Sequence, residues 1–213
     1  MAEIHFGTLF LSFLVLLFSL SVHEAAHAWT AERLGDSTGR RLGRVSLNPI
    51  VHVDPVGTVL LPLVAMTTGA PLIGWARPVP VAVQALRRYP RDFMLVAFAG
   101  PASNLLLAAL ASLVVRVVPG HAVVAGLDVA GPLTQLALMA LQLNLLLAVF
   151  NLVPVPPLDG GNILGGVLRG GLHRAYESIR PYGVFVLYAL MLSGKLGAII
   201  GPPYLFLARL LSL

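Results

Sequence analysis

The chain has 213 residues, of which 57% are hydrophobic and only 11% charged, and its formal net charge is +5 at pH 7. A mean hydropathy of +0.87 predicts a helical membrane protein with several spans and excludes a sizeable soluble domain. Arginine supplies almost all of the positive charge, which in a membrane protein sets topology, so we expect no nucleic acid partner. Because cysteine is absent, disulfides and thiolate metal ligands are excluded.

The first apolar segment, from about His5 to Leu34, is long enough to cross a bilayer and contains His23-Glu24-Ala25-Ala26-His27. Histidines at i and i+4 lie on one face of a helix, about 6 Å apart, which suits two ligands of one metal ion. Glu24 beside them can act as general base on a metal-activated water. An H-E-x-x-H sequence can arise by chance, but three ionisable groups at membrane depth are expensive to bury and indicate function.

Residues 45–53 are rich in β-branched side chains and bounded by glycine and proline, so we expect one or two short strands that form a small membrane-associated β element. His52 and Asp54 would then lie on one face of a strand. We favour a polar strand end near the interface for them. The alternatives are groups that orient the metal ligands, contact substrate or hold a regulatory metal.

Residues 58–73 are apolar but short and interrupted by proline and glycine, which favours a re-entrant hairpin over a full span. With that topology, eleven basic residues share the cytoplasmic face, whereas only Arg116 is clearly outside. A full span would move four of these arginines outside, against the positive-inside rule. The eleven are Arg33, Arg40, Arg41, Arg44, Arg77, Arg87, Arg88, Arg91, Arg169, Arg174 and Arg180.

Two later segments, from Asp92 to Val118 and from Pro132 to Val153, are predicted spans. Residues 181–213 are apolar but broken by glycine and proline, so they form either one span with a tail or a tight hairpin. The predicted fold class is an all-α polytopic membrane protein with a single domain over 1–213. In that domain, 181–213 is an accessory membrane segment.

A third metal ligand is needed, because a catalytic zinc usually has three protein ligands and an open position for water. Asp159 is the candidate, since it follows a span that ends on the same side as the first span. Prolines before it prevent a regular helix, and the two glycines after it allow close backbone approach. Alone, Leu158-Asp159-Gly160 would be a surface turn; together with His23 and His27, the ligand interpretation is favoured.

Three motifs in this order are typical of one family: His23-Glu24-Ala25-Ala26-His27, Gly100-Pro101-Ala102-Ser103-Asn104, and Asn151 to Gly161. The chain resembles the site-2 protease family of intramembrane zinc metalloproteases, and the likeness to its three-helix catalytic core covers about residues 5–170. The segments Leu47 to Gly57 and Gly74 to Val81 are similar to the compact bacterial and archaeal branch, which lacks PDZ and CBS domains.

The resemblance implies that His23, His27 and Asp159 bind one zinc ion (Zn2+) per chain and that Glu24 is the catalytic base or acid. Asn151 matches a family asparagine near the metal, where its amide could stabilise the oxyanion. A helix-packing amide is an equal alternative for Asn151. Strands around 45–53 would present an edge to an unwound substrate.

The implied function is an intramembrane zinc endopeptidase that cleaves single-span membrane-protein substrates in or near their transmembrane segments. It would lie among lipids of a prokaryotic inner membrane, with its active site towards the cytoplasm. One alternative is an inactive zinc-bound scaffold, which the intact Glu24 argues against. The other is a metal transporter, which usually shows repeat symmetry and polar groups along a whole path. We expect Asn104 to pack against or orient its neighbours rather than to contact substrate, and Asn144, His121 and His173 to be structural.

Overall fold

The structure is a computed structural model that describes residues 6–61, 64, 76–118, 123–124 and 127–211. The α-helices of these ranges are α1 (Phe6–Arg33), α2 (Thr38–Arg41), α3 (Arg91–Val117), α4 (Ala130–Asn151), α5 (Asp159–Val167), α6 (Gly170–Ile179), α7 (Gly183–Leu192) and α8 (Lys195–Leu210). Shorter elements are 3₁₀-helices at Pro49–Val51, Val83–Ala85 and Arg180–Tyr182, and a π-helix at Pro55–Leu60. Two-residue strands, β1 (Val123–Val124) and β2 (Leu127–Asp128), pair antiparallel between α3 and α4.

Three of these helices are long and apolar enough to cross a membrane: Phe10–Arg33 of α1, α3 and α4. A fourth span is possible if Gly170–Leu192 and Lys195–Leu210 are counted together, although they meet at 84°. Gly194 lies at this bend with φ of +69°, a left-handed conformation that glycine adopts without strain. The prediction of an all-helical membrane protein is therefore confirmed, and the C-terminal apolar region consists of two helices separated by a sharp bend.

Helix α3 is central, because it packs against α1, α4 and α5. Its contact with α4 and α8 buries Ala108 and Ala111 against Leu141, Leu145 and Ala208. Small residues at such contacts let membrane helices approach closely, and dispersion contacts then stabilise the packing.

Helix α1 has two contrasting faces. Ser19, His23, His27 and Ala31 are all buried and recur at four-residue spacing, so they form one stripe along the helix. On other faces, apolar side chains such as Phe18 remain 48% exposed, as expected where the neighbour is lipid. The stripe carries both histidines to the interior of the helix bundle.

The β element predicted over residues 45–53 is wrong. That segment contains no strand; it forms the 3₁₀-helix Pro49–Val51, whose first turn is capped by Asn48. The Asn48 side chain accepts a hydrogen bond from the Ile50 N–H at 3.1 Å, and Pro49 supplies a fixed φ with no N–H to satisfy. The Asn-Pro pair therefore starts a helical turn, which outweighs the β propensity of the neighbouring valines.

His52 and Asp54 consequently do not share a strand face. Asp54 is the N-cap of the π-helix, and its Oδ1 accepts hydrogen bonds from Val56 N–H at 3.0 Å and Gly57 N–H at 2.7 Å. The His52 ring is 2% exposed and hydrogen-bonds through Nε2 to the Ser46 carbonyl. Most of the predicted re-entrant segment 58–73 lies outside the described residues.

Residues 76–82 contain no helix or strand and lie beside the end of α1. Asp36, which is fully buried, holds this segment: its Oδ2 accepts a hydrogen bond from Ala82 N–H at 2.7 Å, and its Oδ1 accepts one from Thr38 N–H at 2.9 Å. Burial alone would raise the pKa of Asp36, but the hydrogen bonds from Thr38 and Ala82 outweigh it and hold this pKa below its ordinary value.

We expect Asp36→Asn to destabilise the protein at neutral pH by about 1–3 kcal/mol, because the carboxylate accepts charge-assisted hydrogen bonds that an amide only partly replaces. The pKa of Asp36 is lowered on folding, so this contribution is present above about pH 4 and is lost as the pH falls through the folded value. The measurement is the melting temperature of wild type and variant as a function of pH. Ser37→Ala, at an exposed neighbour, is the control, and equal melting temperatures at neutral pH would contradict the role.

Candidate metal centre

Three side-chain atoms converge in the interior of the helix bundle. His23 Nε2 and His27 Nε2 are 3.0 Å apart, and Asp159 Oδ2 lies 3.2 Å from the first and 3.4 Å from the second. Ligands of a tetrahedral zinc at bond lengths of 2.0–2.1 Å are separated by about 3.3–3.4 Å. The triangle therefore has the size that three zinc ligands require.

The His27 tautomer follows from its other ring nitrogen. His27 Nδ1 lies 2.7 Å from the Val96 carbonyl oxygen, which can only accept a hydrogen bond. In the neutral ring Nδ1 therefore carries the proton and Nε2 presents a lone pair. An imidazole held in this way by a backbone carbonyl is the usual arrangement of a metal-ligating histidine.

The His23 tautomer is determined by a chain of hydrogen bonds that crosses three helices. The Ala140 carbonyl accepts from the Asn144 amide nitrogen at 2.8 Å, so the Asn144 oxygen faces Asn104. Asn104 then donates its nitrogen to that oxygen at 2.8 Å, and its own oxygen faces His23 Nδ1 at 2.6 Å. Ser19 completes the network by accepting from Asn144 at 2.9 Å. His23 Nδ1 must donate, so His23 Nε2 also presents a lone pair.

Asp159 Oδ2 is buried and has no hydrogen-bond partner among the described residues. Its two neighbours in the triangle are the Nε2 lone pairs of His23 and His27, which cannot donate in these tautomers. Three lone pairs that face one another in an apolar interior repel, and an unpaired buried polar atom is unfavourable. A cation at the centre removes both problems, and one carboxylate with two imidazoles fits zinc.

The chain after α4 brings Asp159 to this position. Residues 152–158 form consecutive turns, and α5 begins at Asp159 itself. Gly160 follows, and a Cβ at that residue would overlap the Leu152 carbonyl, so only glycine lets the first turn of α5 pack onto the end of α4.

Gly100 of α3 brings the helix backbone directly against the triangle. A Cβ at Gly100 would lie 2.5 Å from His23 Cε1 and 2.6 Å from His23 Nε2, and it would also overlap His27 Nε2. Only glycine therefore lets α3 approach both ligand rings this closely.

We expect Gly100→Ala to lower zinc affinity by at least about tenfold, because the added methyl group would displace one or both imidazoles and small misplacements of ligands weaken a metal site. Competition titration against a zinc chelator measures the affinity. Gly131→Ala, on α4, is a matched control, since nothing lies within 4 Å of a Cβ there. An unchanged affinity in Gly100→Ala would show that the contact is unimportant.

Asn104→Leu should weaken zinc binding by about 10–100-fold, the usual effect of removing a group that orients a ligating histidine. Leucine has a similar volume to asparagine but cannot accept a hydrogen bond from His23 Nδ1. The matched control is Ser103→Ala, because the Ser103 hydroxyl donates only to the Gly100 carbonyl of its own helix. If both variants bind zinc like wild type, the amide network does not support the metal site.

Glu24 lies beside the triangle and is outside the ligand set. Its Oε2 accepts a hydrogen bond from the Val79 N–H at 3.0 Å. The Glu24 carboxylate also interacts electrostatically with His27. Among the described residues no partner is seen for Oε1. Val79 of segment 76–82 therefore holds one carboxylate oxygen of Glu24 in place.

Asn151, the predicted oxyanion stabiliser, lies in the last turn of α4. Its amide nitrogen donates to the Leu147 carbonyl at 2.9 Å, so in this structure the amide bonds to its own helix. The oxyanion role stays a prediction.

Sequence reasoning missed two contributors to the site, the Val96 carbonyl and Ser19, and it named Gly100 only as part of a motif. Ser19 precedes His23 by four residues, and this spacing could have identified it as a member of the buried stripe. A backbone carbonyl such as that of Val96 leaves no signal in the sequence.

Apolar spanning helices that bury a two-histidine, one-carboxylate site beside a glutamate define a membrane-embedded metallohydrolase class. The model of "Peptidase family M50" matches residues 123–194. A Bacillus subtilis protein named "Putative zinc metalloprotease YwhC" is 34% identical over 92% of this chain and 86% of its own length. The chain belongs to peptidase family M50.

Two mycobacterial proteins and one solved structure are also similar to this chain. "Putative zinc metalloprotease Rip2" of Mycolicibacterium smegmatis is 33% identical over 84% of this chain, which spans 66% of Rip2. Rip2 of Mycobacterium tuberculosis is 34% identical with the same coverage. The site-2 protease from Methanocaldococcus jannaschii aligns over 99% of this chain and 80% of its own, with 20% identity and a TM-score of 0.42.

Proposed function

We propose that this protein is a zinc endopeptidase that hydrolyses peptide bonds in or near the transmembrane segments of single-span membrane proteins, as in regulated intramembrane proteolysis. One observation carries the proposal: potential metal-ligand atoms of His23, His27 and Asp159 meet inside a bundle of membrane-spanning helices, with Glu24 beside them. A scaffold would need the ligands but not the base.

Each residue has a defined task in the reaction. His23, His27 and Asp159 would hold one zinc, which supplies Lewis-acid polarisation of the scissile carbonyl and acidifies a water molecule. Glu24 accepts the proton of the attacking water on the oxygen that Val79 leaves free, and then transfers it to the leaving amine. In this scheme the Asn151 amide would leave the Leu147 carbonyl to stabilise the oxyanion.

The depth of the site sets a requirement on the substrate. His23 and His27 are 4% and 7% exposed, so a peptide bond reaches them only by entering the bundle. The carbonyls of a helical substrate are hydrogen-bonded within their own helix, so the substrate must unwind locally before it is attacked.

We further infer that residues 1–213 act as one domain, with the region around 5–170 as its catalytic core. Within the accessory segment, Ala208 of α8 packs on α4, which supports a role in bracing the core. The arginine distribution supports an orientation with the site towards the cytoplasm. The similarity to bacterial relatives supports a location in a prokaryotic inner membrane.

We expect Glu24→Gln to retain zinc while cleavage falls by at least about a hundredfold, because the amide keeps the shape of the side chain but cannot accept the proton. Zinc content by metal analysis and cleavage of a reporter membrane protein are measured on the same purified samples. His23→Ala and Asp159→Ala should instead lose zinc and activity together. Normal turnover in Glu24→Gln would reject the mechanism, and loss of its zinc would make Glu24 a ligand.

Topology gives an independent test. Single cysteines are clean probes, since the chain has none of its own. Cysteines at the exposed positions Ser37 and Gln84 should both react with an impermeant reagent from the cytoplasmic side, and one at His121 should react from outside. Mass-tag labelling of intact cells against opened vesicles measures this. Labelling of Gln84 from outside would contradict the proposed arrangement of segment 58–73.

A further inference from the structure

A groove of about 580 Å³ lies next to segment 76–82. Two arginines, Arg44 and Arg77, line it together with Pro78 and Pro80 of that segment. Its other wall includes Leu42 and Ile50. No acidic side chain lines the groove among the described residues, so the groove combines positive charge with apolar surface.

Arg44 is an unusual arginine because its residue is only 8% exposed. Its guanidinium donates to the Val51 carbonyl, which uses one of its five N–H groups. Burial lowers the pKa of Arg44, and the like charge of Arg77 lowers it further, whereas Glu24 acts in the opposite direction. Glu24, whose Oε2 accepts the Val79 N–H, carries one negative charge and so offsets the two positive charges of Arg44 and Arg77 only in part.

Two guanidinium groups on one groove favour an anion with several acceptor oxygens. A guanidinium presents donors in a planar fork that matches phosphate and carboxylate oxygens, and the match is strongest where water is partly excluded. A single anion between Arg44 and Arg77 would remove their mutual repulsion and accept hydrogen bonds from both guanidinium groups.

The apolar wall of the groove, formed by Leu42 and Ile50, indicates which kind of anion binds there. Ile50 is 79% exposed and Leu42 is 58% exposed, on the chain that directly follows the membrane-spanning helix α1. Exposed aliphatic side chains beside arginines at the end of a span are typical of the membrane interface, where phosphates lie above acyl chains. We propose that this groove binds the phosphate of an anionic phospholipid, whose glycerol and acyl chains lie against Leu42 and Ile50.

Such a lipid would touch the segment that holds the general base. Pro78 and Pro80 line the groove on either side of Val79, whose N–H binds Glu24, and Arg77 N–H donates to the His52 carbonyl at 2.8 Å. Lipid binding would therefore restrain the same segment that these hydrogen bonds hold. The site itself does not depend on the peptidase proposal.

The test measures lipid binding to the full chain in detergent by native mass spectrometry, with phosphatidylglycerol and phosphatidylcholine at equal concentration. We expect one phosphatidylglycerol per chain to bind more tightly than phosphatidylcholine. Arg77→Gln should weaken phosphatidylglycerol binding by at least about tenfold, through the loss of charge-assisted hydrogen bonds. Arg77 is exposed, so this variant leaves the Arg44 contact with Val51 and the fold intact.

Arg88→Gln is the matched control, because Arg88 is an exposed arginine of the same chain region that does not line the groove. It should bind phosphatidylglycerol like wild type. Equal weakening in both variants would overturn the proposal in favour of general attraction between a basic face and acidic lipid. Equal binding of both lipids would overturn it as well. Displacement of the lipid by inorganic phosphate at matched concentration would assign the groove to free phosphate instead.

Discussion

The structure depends on one electrostatic constraint: three potential metal-ligand atoms must be held within 3.4 Å of one another in an apolar interior. Without support, the side chains of His23, His27 and Asp159 would turn away from each other. A separate contact holds each of them in place. The Val96 carbonyl and the Asn104 amide fix the two rings, and the start of α5 fixes the carboxylate. The free energy for this arrangement comes from the packing of the helices.

Helix α3 supplies most of these contacts from one face. Val96, Gly100 and Asn104 recur every four residues, and they meet the stripe on α1 that repeats with the same spacing. On α3 the three positions have different roles. The Val96 carbonyl accepts a hydrogen bond from His27, Gly100 lets the backbone approach both rings, and the Asn104 amide accepts a hydrogen bond from His23. All three groups belong to one regular helix, so their relative positions are as rigid as the helix itself.

The parts that could be predicted from sequence are those that follow from local spacing or hydropathy. The histidine pair, the spans and the third carboxylate were visible because i, i+4 spacing and proline–glycine punctuation are local signals. The β element was predicted wrongly because Asn48-Pro49 and Asp54-Pro55 are helix starts, and their capping outweighs valine propensity. The amide chain from Ala140 to His23 joins distant parts of the chain, so no local pattern encodes it.

The position of the ligands along the chain has a thermodynamic consequence. More than half of the sequence lies between His27 and Asp159, so an ion bound to both closes a very long loop. Metal affinity and folding stability would then be linked, since the unfolded chain has no such cluster to offer. With zinc bound as proposed, the stability of this protein in its membrane would rise with the free zinc concentration.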